Sequence, residues 1–248
     1  MEMREELPKV FVFVGPEKTG TTTIFDLLPF TKTPKQKEMF NLSRRRDMRA
    51  EETRIKSQIL ANGEAYIVEP TYFVSDFARE ALVELGTRYD LKVIHTRRDP
   101  LERTVSHYLH HKAKGRVSNP IDAVSAYPEV VEASRYEDHS AGWRDAVDQF
   151  YTVQITSGSD FAATLKGLGI SAKDAGFQQS NQRMAPRSVV LARIASYLWQ
   201  WLIALRLNRL VPLTLKSVIK NRIYYGGNKV EISLEERECL KRMLSTTA

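Results

Sequence analysis

The sequence predicts an α/β fold, in which a central parallel sheet carries helices on both faces. Short runs at 10–14, 64–69 and 91–96 each contain several β-branched or aromatic residues. Such runs are typical of strands buried on both faces, as in a parallel sheet. A pattern with helical spacing follows each run, and alternation of strand and helix is the arrangement that builds parallel sheets. We therefore expect a single α/β domain over residues 1–248.

The composition is that of a soluble globular protein, with 42% hydrophobic and 27% charged residues in a chain of 248. The formal net charge of +7 favours an anionic partner, and the motifs below support a nucleotide rather than nucleic acid. The single cysteine, Cys239, rules out an intrachain disulfide and favours a reducing compartment. Residues 1–6 lack the basic and apolar regions of a signal peptide. We therefore expect a cytoplasmic location.

The first strand runs into a loop, Gly15-Pro-Glu-Lys-Thr-Gly-Thr-Thr22, and then into a helical pattern. Strand, glycine loop and helix form the layout of a phosphate site, because backbone N–H groups then point at one spot. In the nucleotide-hydrolase motif G-x-x-x-x-G-K-[ST], lysine directly follows the second glycine. Here Thr21 follows Gly20, and the lysine stands earlier in the loop as Lys18. The sequence therefore predicts a phosphate site of another kind.

This loop resembles the 5′-phosphosulfate loop of sulfotransferases that use 3′-phosphoadenylyl sulfate (PAPS), and it is most similar to the form in heparan sulfate sulfotransferases. The resemblance implies the sulfotransferase fold, with a P-loop-like sheet, PAPS as the donor and no metal. It also implies that Lys18 stabilises charge on the leaving phosphate. The implied contacts of the 5′-phosphate are Lys18, Thr19, Gly20, Thr21, Thr22 and Thr23.

A second motif follows the third strand, in residues 98–108, and reads Arg-Asp-Pro-Leu-Glu-Arg-Thr-Val-Ser-His-Tyr. It resembles the 3′-phosphate motif of the same family, Arg-Asp/Asn-Pro-x-x-Arg-x-x-Ser-x-Tyr. Pro100 suits the first turn of a helix, and a guanidinium at Arg98 can hold a phosphate in bidentate fashion. The resemblance implies that Arg98 and Ser106 hold the 3′-phosphate, while Arg103 braces the loop or the helix. A donor phosphorylated at both positions fits two such sites, and ATP does not.

A third segment, Lys37-Glu-Met-Phe40, matches a family segment whose Glu is the proposed catalytic base. The resemblance implies that Glu38 takes the acceptor proton, which requires a carboxylate within hydrogen-bond reach; the alternative is an exposed charge pair. Lys37 is a predicted acceptor contact. Further predicted acceptor contacts come from a basic stretch, with an ordinary exposed loop as its alternative: His111, Lys112 and Arg116.

The last glycine loop, Gly226-Gly-Asn-Lys229, stands where heparan-type enzymes carry a Lys-Gly-Arg loop over the nucleotide. Lys229 is therefore a predicted donor contact. Ser233, followed three residues later by Glu236, predicts a capping box at the start of the final helix.

Histidines offer a second choice of base, because cytosolic sulfotransferases use one. His107 and His111 lie on one predicted helix but lack the sequence context of that base, so Glu38 is preferred. His95 lies inside the third strand, and we expect a core residue with hydrogen-bonded ring nitrogens. The cluster of His107, His110 and His111 would allow two metal ligands one helical turn apart. No carboxylate or cysteine accompanies it, so we expect no metal.

Residues 196–210 are largely apolar, but polar and charged residues interrupt them. The run falls short of the roughly 20 apolar residues that cross a membrane. We expect a core or lid helix. The alternative is a helix on a membrane surface, because Trp199 and Trp201 lie close to basic residues, and this would give peripheral membrane contact.

Together the motifs predict an enzyme that transfers a sulfuryl group from PAPS to a hydroxyl of a carbohydrate or a sugar-bearing metabolite. Two other functions stay open. A P-loop kinase or hydrolase needs a lysine after Gly20 and an acidic residue ending a strand, for which Glu69 is a fair candidate. A non-catalytic protein on the same fold would bind the nucleotide or a glycan without transfer. The segment at Glu69 lacks a lysine found in heparan-type enzymes, so a heparan acceptor is not assumed.

Overall fold

The structure is a computed structural model, and it describes residues 7–28, 46–155, 158–170, 190, 194, 197–198, 201–202 and 230–246. The chain divides into two compact units, each described by itself below. The first unit is Met1–Asp99 with Arg135–Gln178, and the second is Pro100–Ser134 with Gln179–Ala248. The expectation of a single domain stays a prediction.

Helices separate the successive strands of the described chain. In order they are β1 (Lys9–Phe13), α1 (Thr21–Leu27), α2 (Met48–Asn62), β2 (Ala65–Val68), a 3₁₀ turn (Pro70–Tyr72), α3 (Asp76–Gly86), β3 (Asp90–Arg97), α4 (Pro100–Ala113), α5 (Pro120–Ala126), α6 (Glu129–Glu132), α7 (Tyr136–Ala146), β4 (Phe150–Gln154), α8 (Gly158–Gly167) and α9 (Leu234–Ser245).

The sheet lies in the first unit, and its four described strands are all parallel in the order β2-β1-β3-β4. Val12 of β1 pairs with Ile67 of β2 on one side and with Val93 of β3 on the other. From the β1–β3 pair, the chain goes outward in opposite directions to β2 and to β4. The carboxyl ends of β1 and β3 therefore flank a topological switch point, where open α/β sheets bind their ligands. The predicted α/β class with a P-loop-like parallel sheet is confirmed.

Helices cover both faces of this sheet. Successive side chains of β1 point to opposite faces, so Val10 and Val12 belong to one core and Phe11 and Phe13 to the other. The first core includes side chains of α2, α3 and α7: Ile55, Ala78, Ala81, Leu82, Leu85, Tyr136 and Trp143. The second includes side chains of α1 and α8: Ile24, Phe25, Leu27, Phe161 and Leu165. Each fully buried Phe or Leu stabilises the fold by about 1.5–3 kcal/mol relative to its exposed state.

The second unit has a core of its own, made by α4, α5, α6 and α9. Its buried apolar residues are Val105, Tyr108, Leu109, Val117, Ala123, Val130 and Leu240. Arg103 is buried in α4 and its guanidinium donates to the carbonyls of Glu129 and Val130, each at 3.0 Å. It thus braces α6, whereas the expectation was that it braces the loop or helix of its own motif. The predicted capping box of Ser233 and Glu236 is present at the start of α9.

His95 departs from its prediction. The ring is fully buried in β3, stacked on Phe73 with centroids 4.5 Å apart and edge-on to Tyr136 at 5.6 Å. It is therefore a core residue, but neither ring nitrogen has a hydrogen-bond partner among the described residues. The rings of Phe73, Tyr136 and Phe150 pack around it, and burial in such surroundings favours the neutral ring. Burial first, and then the charge of Arg97, lower the pKa of His95 to about 3.

This pKa predicts that acid destabilises the protein through His95. Because the pKa falls from 6.5 to about 3 on folding, the unfolded chain binds a proton between these pH values and the folded chain does not. Stability is therefore lost as pH falls through this window, by up to about 1.4 kcal/mol per pH unit. Urea unfolding at several pH values should show a shallower slope for His95→Phe than for the unchanged chain. His139→Phe is the control for the aromatic substitution, and an unaltered slope in His95→Phe would contradict the assignment.

Candidate functional site at the carboxyl edge of the sheet

The loop after β1 is closed by Thr19, whose side chain is fully buried. Its backbone N–H and its hydroxyl both donate to the carbonyl of Pro16, at 3.3 Å and 2.7 Å. Its hydroxyl oxygen also lies 3.1 Å from the hydroxyl oxygen of Thr96. Because the single hydroxyl proton of Thr19 is used on Pro16, Thr96 is the donor in that bond. Thr96 belongs to β3, so the hydrogen bond ties the loop to the neighbouring strand.

Two glycines are required by the shape of this loop. A Cβ on Gly15 would lie 1.8 Å from the Thr96 hydroxyl oxygen and 2.7 Å from the Thr96 carbonyl oxygen, so no side chain fits there. Gly20 has a φ of +80°, and Lys18, two residues earlier, has a φ of +75°. Left-handed residues in tight loops build the concave groups of backbone N–H that bind anions. A lysine in this conformation is uncommon, and strain of this kind concentrates at functional sites.

The two arginines at the end of β3 differ in their partners. Arg97 pairs with Glu137, and its guanidinium lies over the ring of Tyr136. The hydrogen bond from Arg97 lowers the pKa of the Glu137 carboxyl. Arg98 has its backbone N–H 3.4 Å from the Tyr136 hydroxyl, while its partly exposed side chain makes no ion pair with any described residue. Of the two, Arg98 is the cation available to an incoming anion.

The first unit therefore brings several of the predicted donor contacts to one edge. Lys18 and Gly20 are partly exposed in the loop, Thr19 and Thr21 are buried, and Arg98 follows the adjacent strand. The remaining loop contacts lie half-buried at the start of α1: Thr22 and Thr23. Glu69, at the end of β2 on the other side of β1, is buried.

The other predicted donor contacts and the predicted base are outside the described residues or belong to the second unit. Lys37, Glu38 and Lys229 lie outside the described residues. Ser106 is buried on α4 in the second unit, and its assignment to the 3′-phosphate stays a prediction.

The other three predicted acceptor contacts belong to the second unit: His111, Lys112 and Arg116. The Lys112 ammonium lies 2.6 Å from a carboxylate oxygen of Glu236, which also accepts from the Tyr108 hydroxyl. Burial opposes the charged form of Glu236, but the hydrogen bonds from Lys112 and Tyr108 hold its pKa below the ordinary value. Burial, together with the Glu236 carboxylate, raises the pKa of Tyr108. Arg116 is exposed. The contact of Lys112 and Arg116 with an acceptor stays a prediction.

The two histidines considered as alternative bases form a buried chain in the second unit. Arg103 lies 3.1 Å from Nδ1 of His107 and, because arginine only donates, this nitrogen accepts. Nε2 of His107 therefore carries the proton in the neutral ring and donates to Nε2 of His111 at 3.3 Å. The His111 ring lies against Tyr127, with centroids 4.0 Å apart. Both rings are buried, and contact of His111 with an acceptor stays a prediction.

Thr96 is the residue of this site that sequence reasoning missed. It is the last residue before the arginine pair, at a strand end, and a hydroxyl in that position was the available signal. Its partner, Thr19, stands 77 positions away, so nothing local indicates the hydrogen bond. Within the described ranges, no group of three His, Cys, Asp or Glu side chains lies close enough together to hold a metal ion.

Comparison with known proteins gives a weak structural likeness. No protein-family model and no curated protein sequence matches this chain. Among solved structures, the crystal structure of a sulfotransferase from Alicyclobacillus acidocaldarius is similar, at 16% sequence identity and a TM-score of 0.47. The matched region covers 86% of this chain and 98% of that one. These comparisons place the chain in no established family.

Proposed function

We propose that this protein transfers a sulfuryl group from PAPS to a hydroxyl of a carbohydrate or a sugar-bearing metabolite. The observation that carries the proposal is the pairing of two cationic motifs at the switch point of one sheet. The loop with Lys18 follows β1, and Arg98 follows the adjacent strand β3. The hydrogen bond between Thr19 and Thr96 holds the loop against β3. A donor with phosphate at both 3′ and 5′ positions supplies an anion to each motif.

The chemistry is in-line displacement at sulfur. The acceptor oxygen forms a bond to sulfur while the bond from sulfur to the 5′-phosphate oxygen breaks. The electron pair of the broken bond stays with adenosine 3′,5′-bisphosphate, and Lys18 stabilises that negative charge. The acceptor proton goes to a base, for which Glu38 is the proposed residue. Positioning of the reactants and fixed charge do most of the catalysis in such a transfer. We also propose that the enzyme is cytoplasmic.

Titration calorimetry with adenosine 3′,5′-bisphosphate tests the donor assignment, with ATP and ADP as controls and no added metal. We expect the bisphosphate to bind with clear preference, because only it presents a phosphate to Arg98 as well as to the loop. Preference for ATP in the presence of magnesium would favour the kinase or hydrolase alternative. Tight binding of the bisphosphate without transfer to any hydroxyl acceptor would favour the non-catalytic alternative.

The two arginines of β3 offer a matched pair for the 3′-phosphate. Arg98→Ala should lower the affinity for adenosine 3′,5′-bisphosphate by at least about tenfold, because a bidentate charge-assisted contact is lost. It should barely change binding of adenosine 5′-phosphosulfate, which lacks the 3′-phosphate. Arg97→Ala should lower the affinity for the bisphosphate much less, because the Arg97 guanidinium is already paired with Glu137. Equal weakening of both ligands by Arg98→Ala would remove the 3′ assignment.

A further inference from the structure

An apolar stripe of five exposed side chains lies in the second unit. It consists of Val190, Ile194, Tyr197, Leu198 and Trp201, all in helical conformation. Their side chains are between 51% and 66% exposed. The spacing i, i+4, i+7, i+8, i+11 is the spacing of residues that share one face of an α-helix. Apolar side chains exposed singly are normal, but a contiguous group of this kind marks a surface that binds something apolar.

The sequence around the stripe is strongly basic. Residues 175–230 contain nine Lys and Arg and no Asp or Glu. The rest of the chain has 28 Lys and Arg against 30 Asp and Glu, so this one segment supplies the entire positive excess. A partner of the stripe therefore has an apolar layer and a negatively charged surface.

We infer that the apolar stripe docks on an anionic lipid surface. Tyr and Trp are the side chains enriched where water meets a bilayer, because each has an apolar body and a polar tip. Basic residues beside an apolar helix face add attraction to anionic headgroups. A second copy of this chain fits less well, because it would bring two strongly basic segments together. The inference concerns a surface in the second unit and does not rest on the proposed sulfuryl transfer.

Within the part of the chain that the structure describes, no helix is both long and apolar enough to cross a bilayer.

Vesicle flotation with the full chain tests the inference. The probes are vesicles of phosphatidylcholine alone and vesicles of phosphatidylcholine with phosphatidylglycerol. We expect binding to the second kind and little to the first, with binding reduced when salt shortens the range of the headgroup charge below about 10 Å. The double change Leu198→Ser with Trp201→Ser should lower the vesicle partition coefficient at least about tenfold. Leu60→Ser, at an 89% exposed leucine of α2, is the matched control and should bind like the unchanged chain.

A second measurement needs no variant. Vesicles carrying brominated acyl chains should quench tryptophan fluorescence of the unchanged chain, because Trp201 enters the headgroup boundary. Equal binding to vesicles with and without phosphatidylglycerol would overturn the inference. An unchanged partition coefficient in the double variant would overturn it too. So would a concentration-dependent dimer that the double change abolishes, since the stripe would then serve a second copy.

Discussion

Lys18→Ala is expected to lower kcat by about 100-fold or more while changing PAPS affinity little. The reason is that the ammonium at Lys18 is proposed to oppose charge that develops only as the bond from sulfur to oxygen breaks. A group that acts in the transition state lowers kcat and kcat/KM together when it is removed. The measurement is single-turnover release of adenosine 3′,5′-bisphosphate from labelled PAPS, with an acceptor found by screening sugar hydroxyls.

The backbone of Lys18 provides a second, independent readout. Its φ of +75° strains any residue with a Cβ, so Lys18→Gly should be more stable than Lys18→Ala by about 1 kcal/mol. Both variants lose the ammonium, so both should lose the same activity. Glu17→Ala, at the exposed residue just before it, is the control. If Lys18→Ala and Lys18→Gly kept the rate of the unchanged chain, Lys18 would have no part in the reaction.

Gly15→Ala is the second change with a large expected effect. The new methyl group would lie 1.8 Å from the Thr96 hydroxyl oxygen and 2.7 Å from the Thr96 carbonyl oxygen, well inside van der Waals contact. The loop and the end of β3 must separate, at a cost of about 1–3 kcal/mol in folding free energy. Binding of adenosine 3′,5′-bisphosphate should fall by at least about tenfold, because the loop amides move with the backbone. Calorimetry and thermal unfolding measure the two effects.

Two further variants separate the close contact from a general effect of alanine. Gly167→Ala places its methyl group in open space at the end of α8, so stability and nucleotide binding should stay within experimental error or improve slightly. Adding Thr96→Ala to Gly15→Ala removes only the contact with the Thr96 hydroxyl, because the Thr19 hydroxyl oxygen at 2.6 Å and the Thr96 carbonyl oxygen at 2.7 Å remain. The double variant should therefore recover only part of the loss. If Gly15→Ala alone bound adenosine 3′,5′-bisphosphate as tightly as the unchanged chain, this loop conformation would not be required for binding.

The central strands were predictable because strands buried on both faces appear in the sequence as short runs of apolar residues. The runs at 10–14, 64–69 and 91–96 correspond to β1, β2 and β3 within one or two residues. The loop after β1 was equally visible, since its glycines and threonines are adjacent in sequence.

The partners of individual side chains were not predictable, because they come from distant positions. Arg97 and Arg98 look alike in the sequence, and only Glu137, forty positions later, distinguishes them. Thr96 looks like an ordinary strand residue until the sheet brings Thr19 against it. His95 was expected to find hydrogen bonds, but the rings of Phe73 and Tyr136 surround it instead.

The hydrogen bond from Thr96 to Thr19 also has a consequence for folding. It spans 77 positions, so the loop after β1 cannot reach its final shape until β1 and β3 have paired. Loop closure over such a distance is entropically costly and comes late relative to local helix formation. A ligand that binds only the finished loop stabilises only those chains whose sheet has assembled. At a free concentration of a hundred times its dissociation constant, such a ligand adds about 2.7 kcal/mol to the free energy of unfolding. The donor nucleotide would thus act as a folding ligand for the sheet as well as a reactant.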